Sequence, residues 1–219
     1  AEIRNPMVEL PVDVNTLLEA DAVIVTHTHD DHWDRAAVEL IGKDKPVFVQ
    51  NDSDAALLRS QGFTHLTVMT EETGFGDIRI AKTRGGQHGT DRAYAVPELA
   101  ERLGEACGVV LRHPDEKTLY IVGDTIWRDE VAADLQKHQP DVVVLNAGSA
   151  HVIGFGPIIM GQEDVLNVHF LLPQAKIVAT HMEAINHCLL TRHALREYVD
   201  ANLIGDAVSI PEDGETVIF

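Results

Sequence analysis

Short runs of β-branched apolar residues recur along the chain, each followed by polar or Gly-rich sequence and then a helical pattern. Residues 22–26 (AVIVT) and 46–50 (PVFVQ) are continuous apolar runs of strand length, the pattern of buried strands. Residues 64–70 and 77–83 alternate apolar and polar positions, which predicts strands with one polar face. Residues 108–113 and 118–122 flank Pro114-Asp115-Glu116-Lys117, so a hairpin is expected there. Residues 141–145 (DVVVL) and 175–180 (AKIVAT) predict two more buried strands, and 207–210 and 216–219 two short ones. Helices are expected over 35–41, with Asp34 as cap and Gly42 as stop, and from an Asp52 or Ser53 cap through Gln61 to Gly62. Further helices are expected over 129–138, over 161–172 before Pro173, and over 191–203 behind Thr191 as cap. In the last of these Leu195, Tyr198, Val199 and Leu203 recur at helical spacing. Residues 85–94 read as an irregular, Gly-rich loop. Strands alternating with helices over short loops predict an α/β fold, in one domain spanning residues 1–219.

Composition narrows the function. At 219 residues, 45% of them hydrophobic, the chain can bury a core without covalent staples. No apolar run approaches the ~18–20 residues of a membrane span. Seventeen basic against 35 acidic residues give a net charge of −18, a field that repels phosphate backbones and anionic lipid. A small-molecule substrate is therefore expected, and no nucleic-acid or membrane partner. Two cysteines fit a reducing, cytoplasmic compartment. Twelve histidines, beside six Phe, three Tyr and two Trp, stand out, because histidine is the commonest metal ligand.

Four of the histidine-bearing or aspartate-bearing segments follow one another in an informative order. Directly after the first strand comes Thr26-His27-Thr28-His29-Asp30-Asp31-His32, which holds the pattern His-x-His-x-Asp-His. In extended backbone His27 and His29 point to one side, and a turn after the strand brings Asp31 and His32 back toward a neighbouring point. Two imidazoles are thus offered to one metal, and a carboxylate and an imidazole to a second. His88 lies beside glycines in Gly85-Gly86-Gln87-His88-Gly89, Asp124 follows the strand LYIV, and His181 follows AKIVAT. The carboxyl ends of strands are where α/β sheets bind ligands.

THTHDDHWD, QHG, GDT and ATH, in that order, resemble the metallo-β-lactamase superfamily. Within it the chain is most similar to the metal-dependent hydrolases related to L-ascorbate-6-phosphate lactonase. The resemblance runs from about Asp21 to His187. It implies a four-layer αββα sandwich with a dinuclear metal centre at one edge of the sheets. It assigns His27, His29 and His88 to one ion, Asp31, His32 and His181 to the other, and Asp124 to both. Family members usually begin with two or three strands before His-x-His, whereas about 20 residues precede the first strand here. The first sheet is therefore expected either to be pared down or to be completed by residues outside this sequence.

Imidazole and carboxylate ligands suit two divalent ions, zinc first, with manganese or iron as alternatives. Paired ions lower the pKa of bound water to about 7, so the expected chemistry is attack by hydroxide on a small ester, lactone, amide or phosphoester. Asp31 is expected to orient that nucleophile, and His187, six residues after His181, to bind substrate or protonate the leaving group. His151 is a further, weaker candidate, and Thr90 and Asn186 are candidates to support the ligands. Three other classes deserve comparison. A metal-dependent nuclease or phosphodiesterase is disfavoured by the charge, and a di-iron oxidoreductase by the lack of a flavin domain. A non-catalytic metal-binding protein is disfavoured by the intact ligand set.

Overall fold

The computed structural model describes residues 5–83 and 88–219. After a short helix α1 (Val14–Leu18), the chain lays down β1 (Val23–Val25), α2 (Arg35–Leu40), β2 (Val47–Val49), α3 (Asp52–Ser60) and β3 (Leu66–Val68). The three strands pair in parallel in the order β1-β2-β3, with the helices as crossovers. Strands β4 (Thr73–Phe75) and β5 (Ile78–Lys82) open a second sheet. Helices α4 (Asp91–Tyr94) and α5 (Pro97–Leu103) follow, then β6 (Val109–Arg112), β7 (Leu119–Ile121), α6 (Asp129–His138) and β8 (Val142–Asn146). A two-stranded hairpin, β9 (His151–Val152) and β10 (Gly156–Pro157), stands apart. Helix α7 (Gln162–Leu171), β11 (Lys176–Thr180), α8 (Arg192–Ala201) and β12 (Val208–Ser209) complete the order. The second sheet has seven strands ordered β12-β11-β8-β7-β6-β5-β4.

Alternation within the strands decides the layers. Val25, Val47 and Val49 turn one way and pack with Ala55, Leu58 and Phe63 under the helices of the first half. Phe48 and Ile24 turn the other way and meet Val109, Leu111 and Ile121 of the large sheet. On the far face of that sheet Val110, Tyr120, Val143 and Ile177 bury against Val131 and Leu135 of α6, Val168 of α7 and Leu195 of α8. The result is helix, sheet, sheet, helix: the expected αββα sandwich. Each fully buried side chain of this size contributes roughly 1.5–3 kcal/mol. No helix among the described residues is long and apolar enough to cross a membrane.

Most of the predicted elements are present, and the expected caps at Asp34 and Thr191 accept from Ala37 N at 2.7 Å and Ala194 N at 3.1 Å. Three expectations are corrected. The cap of α3 is Asn51, which accepts from Asp54 N at 2.9 Å; Asp52 and Ser53 already lie inside the first turn. Residues 216–219 pair with no strand, and Ile218 is 89% exposed, so this strand-like tail finds no sheet face to cover. Of the loop expected over residues 85–94, positions 85–87 lie outside the described residues, and 91–94 form α4.

One consequence of the topology positions the site. Strand β5 is antiparallel to β6, β6 is antiparallel to β7, and β7, β8 and β11 are mutually parallel. Strands β5, β7, β8 and β11 therefore run the same way, and their carboxyl ends open on one edge.

Candidate metal centre

The seven expected ligands lie in segments that follow strands β1, β5, β7 and β11, and local bonds hold these segments in place. The loop after β1 is tied to the large sheet where Cys107 N donates to Thr26 O. It then turns sharply, because His32 N and Trp33 N both donate to His29 O, at 2.9 and 2.8 Å, which folds Asp31 and His32 back toward His27. Trp33 anchors the turn from below. It is buried in the core, and its indole N–H donates to Gln61 Oε1 at 2.9 Å. After β5, the backbone N–H of His88 donates to Tyr94 Oη at 3.1 Å, and that hydroxyl donates to Gly104 O at 2.6 Å. Before Asp124, Gly123 has φ +76°, and a Cβ there would lie 2.5 Å from Cys107 O. Only glycine fits that approach. His181 itself has φ +59°, and a side chain at Gly148 would run into its carbonyl oxygen.

These loops bring all seven predicted residues together. His27, His29 and His88 form one group able to hold a metal ion, and Asp31, His32, Asp124 and His181 a second; within each, the ligand atoms lie within 4.8 Å of one another. Asp124 joins the two. Its Oδ2 is 3.8 Å from His27 Nε2, 3.5 Å from His88 Nε2 and 3.3 Å from His32 Nε2, while Oδ1 is 3.8 Å from His181 Nε2. Asp31 Oδ2 is 3.4 Å from His181 Nε2, and the Nε2 atoms of His32 and His181 are 3.1 Å apart.

The donor chemistry fits cations. Among the described residues His27 Nε2 and both ring nitrogens of His88 are buried without a hydrogen-bond partner. An unsatisfied buried polar atom costs roughly 1–3 kcal/mol, a cost that coordination removes. His29 Nε2 lies 3.2 Å from Arg102 O; a carbonyl only accepts, so Nε2 carries the proton and Nδ1 keeps the lone pair. Burial, aided by the nearby His32, lowers His27 to about 3, and burial lowers His88 to about 4 against the pull of Asp124, so both rings are neutral ligands at pH 7. Burial alone would raise Asp124, but the hydrogen bond to His32 and the fields of His181, His32 and His27 hold it far below the usual carboxylate range. Asp31 is likewise held low by His181 and His32 against its own burial. His181 is the counterpart: burial lowers it, yet Asp31, Cys188 and Asp124 lift it to about 11. A cation bound here would replace that proton as the partner of the two carboxylates.

Asn146 and Tyr94, which support this arrangement, were not singled out as such from sequence. Asn146, at the end of β8, donates to Asp124 Oδ1 at 2.5 Å and orients the shared carboxylate. Tyr94 holds the His88 backbone, as described. Cys188 Sγ lies 3.7 Å from His181 Nδ1 and faces the ring's other side. Thr90, expected to support the ligands, instead caps α4 and donates to Phe155 O of the hairpin at 2.8 Å. His151 and His187 both border a cavity of about 640 Å³ whose floor is His29, Asp31 and His88. Asn186 lines the same mouth.

A family model described as "Beta-lactamase superfamily domain" matches residues 2–182, a range that includes all seven of the expected ligands. The chain belongs to the metallo-β-lactamase superfamily. A superfamily relative from Bacillus subtilis (strain 168), named UPF0173 protein YddR, is 39% identical over 219 residues, spanning 100% of this chain and 84% of its own. Among solved structures, an isothiocyanate hydrolase from Delia radicum gut bacteria is 52% identical, with a TM-score of 0.96 over 100% of this chain and 86% of that one. A protein from Veillonella parvula DSM 2008, described as a possible metal-dependent hydrolase, is 44% identical, with a TM-score of 0.95 over 98% of this chain and 82% of that one. The chain is a metal-dependent hydrolase of the superfamily, with two His/Asp groups able to bind metal.

Proposed function

We propose that this hydrolase works with two divalent ions, zinc in the first place, and that its substrate is a small isothiocyanate. The observation that carries the two-ion reading is the shared carboxylate: Asp124 faces both ligand groups at once. His27, His29 and His88 would hold one ion, Asp31, His32 and His181 the other, and Asp124 both. When bound, such ions supply a water that is deprotonated near neutral pH and a Lewis acid for the attacked group. The chain's own residues do the rest. Asp31, kept ionised, orients the attacking water by accepting a hydrogen bond from it. Asn146 keeps Asp124 in register. His187 at the rim binds the substrate's outer end.

The substrate reading is supported by the solved structure that is 52% identical over the whole chain and is described as an isothiocyanate hydrolase. The ester, lactone or phosphoester expected from the motifs has no such support, and neither does a nucleic acid, given the net charge of −18. The reaction is R–N=C=S + H₂O → R–NH₂ + COS. The test is turnover of benzyl isothiocyanate by the purified, zinc-loaded protein, beside a panel of esters, lactones and phosphodiesters, with and without chelator. The reading predicts isothiocyanate turnover that chelator abolishes and zinc restores. Turnover of another class alone would remove the substrate assignment, and activity indifferent to chelator, or unchanged in His29→Ala, would remove the metal.

A further inference from the structure

The proposed reaction leaves one task unassigned: the departing nitrogen must gain two protons, while the residues at the floor of the site are committed to ligation. The cavity indicates where that nitrogen lies. Beside its polar residues the cavity is lined by four aliphatic side chains, Leu99 and Leu103 from α5 and Val152 and Ile158 from the β9–β10 segment. An apolar substituent R packed on Val152 and Ile158 would place the nitrogen that carries it beside the hairpin, with the attacked carbon toward the ligand groups.

His151 of β9 borders the cavity on that side. Its Nδ1 is 2.8 Å from Ser149 O. A carbonyl oxygen accepts only, so Nδ1 carries a proton and Nε2 is the site that gains and loses one. The support of this ring is itself braced. Ser149 N donates to Met160 O at 2.8 Å, Ile158 N donates to Ala150 O at 2.8 Å, and Thr90 Oγ1 ties Phe155 to the segment that follows His88. His187, by contrast, makes no hydrogen bond among the described residues. The other charged or titratable groups around this cavity are Asp30, Asp31, Arg102, His29, His88 and His187.

We infer that His151 is a catalytic residue, the acid that protonates the departing nitrogen; this rests on the isothiocyanate reading above. Water oxygen bonds to the central carbon, the C=N π pair moves to nitrogen, and nitrogen takes the Nε2 proton of the His151 imidazolium. The adduct then gives up a proton that recharges His151. The C–N bond breaks with its pair on nitrogen, which takes this second proton, and COS departs. As COS forms, the proton still on oxygen returns to the His151 imidazole, so the ring ends as it began, the two protons on the amine balance the two of the water consumed, and nothing is oxidised or reduced.

The experiment compares zinc-loaded wild type with His151→Gln, which fills similar space but is no acid, and with His151→Ala. Benzyl isothiocyanate kinetics are followed across pH, with metal content and Tm measured in parallel. The inference predicts that kcat falls by about 10²-fold or more in His151→Gln, with KM little changed. It predicts loss of the alkaline limb of the pH profile, since the acid works only while protonated, and recovery of His151→Ala activity with added imidazole. Metal content and Tm stay at wild-type values. If His151→Gln keeps wild-type kcat and the alkaline limb, or imidazole restores nothing to His151→Ala, the inference is overturned. A wild type that binds zinc yet leaves isothiocyanates untouched overturns the substrate reading instead, and the inference with it.

Discussion

The floor of the site is set on the two packed sheets: His27, Asp124 and His181 lie within three residues of the ends of β1, β7 and β11, and Asp124 is 3% exposed. The walls above it come from α5, a helix of seven residues, and from a hairpin of two-residue strands whose tip, Ile153, is 96% exposed. The first region depends on the packing of two sheets, the second on a few loop hydrogen bonds. The difference separates two kinds of work. Holding ions needs positions fixed by the core, whereas accommodating a substrate needs a surface that can vary without disturbing them.

Substitutions should divide along this line. The largest effect is expected for Asp124→Ala, which removes the carboxylate both groups face. Steady-state kinetics should show kcat/KM down by more than about 100-fold, beyond the range typical of residues that only support ligands. Asn146→Ala leaves the ligands in place but frees Asp124 Oδ1, and a loss of about 10–100-fold in metal affinity is expected from competitive chelator titration. Gly148→Ala forces a Cβ against His181 O and Cys188. Such overpacking costs about 1–3 kcal/mol, which at this chain length lowers Tm by about 3–10 °C in a thermal melt. The smallest effect belongs to the walls. Leu99→Ala should raise KM for benzyl isothiocyanate by about 3–10-fold, the loss of roughly 1 kcal/mol of apolar contact, with metal content unchanged. A wall variant that lost metal, or a floor variant that changed only KM, would break the division.

The same division decides what could be read from the sequence. Ligation requires histidine and aspartate, and strand ends are legible from apolar runs, so all seven floor residues stood out by type and spacing. The supports did not. Asn146 looks like any polar residue after DVVVL, and its value comes from β8 lying next to β7 in the sheet, a non-local fact. Tyr94 acts on His88 through a loop whose path no local pattern reveals. The walls were read as loops, and their elements went unread for a different reason. Strands β9 and β10 are two residues long, too short for any periodicity, and turn on Gly154 and Gly156 with φ of +81° and +103°. Helix α5 did carry a readable signal, Pro97 in its first turn. The first sheet has three strands, and a tail that alternates like a strand, residues 216–219, stays unpaired because no face awaits it. The motifs placed the chain in its superfamily and among its metal-dependent hydrolases, a name that relatives carry; the link to L-ascorbate-6-phosphate lactonase, also expected from them, is not shown, and none of the relatives described above carries a lactonase name.

The central claim is that Asp124 makes one centre out of two ligand groups. Elemental analysis of zinc-reconstituted, gel-filtered protein measures this directly. Two equivalents of zinc per chain are predicted for the wild type, with at least one lost in Asp124→Ala. A single equivalent in the wild type, or two equivalents retained undiminished in Asp124→Ala, would contradict it.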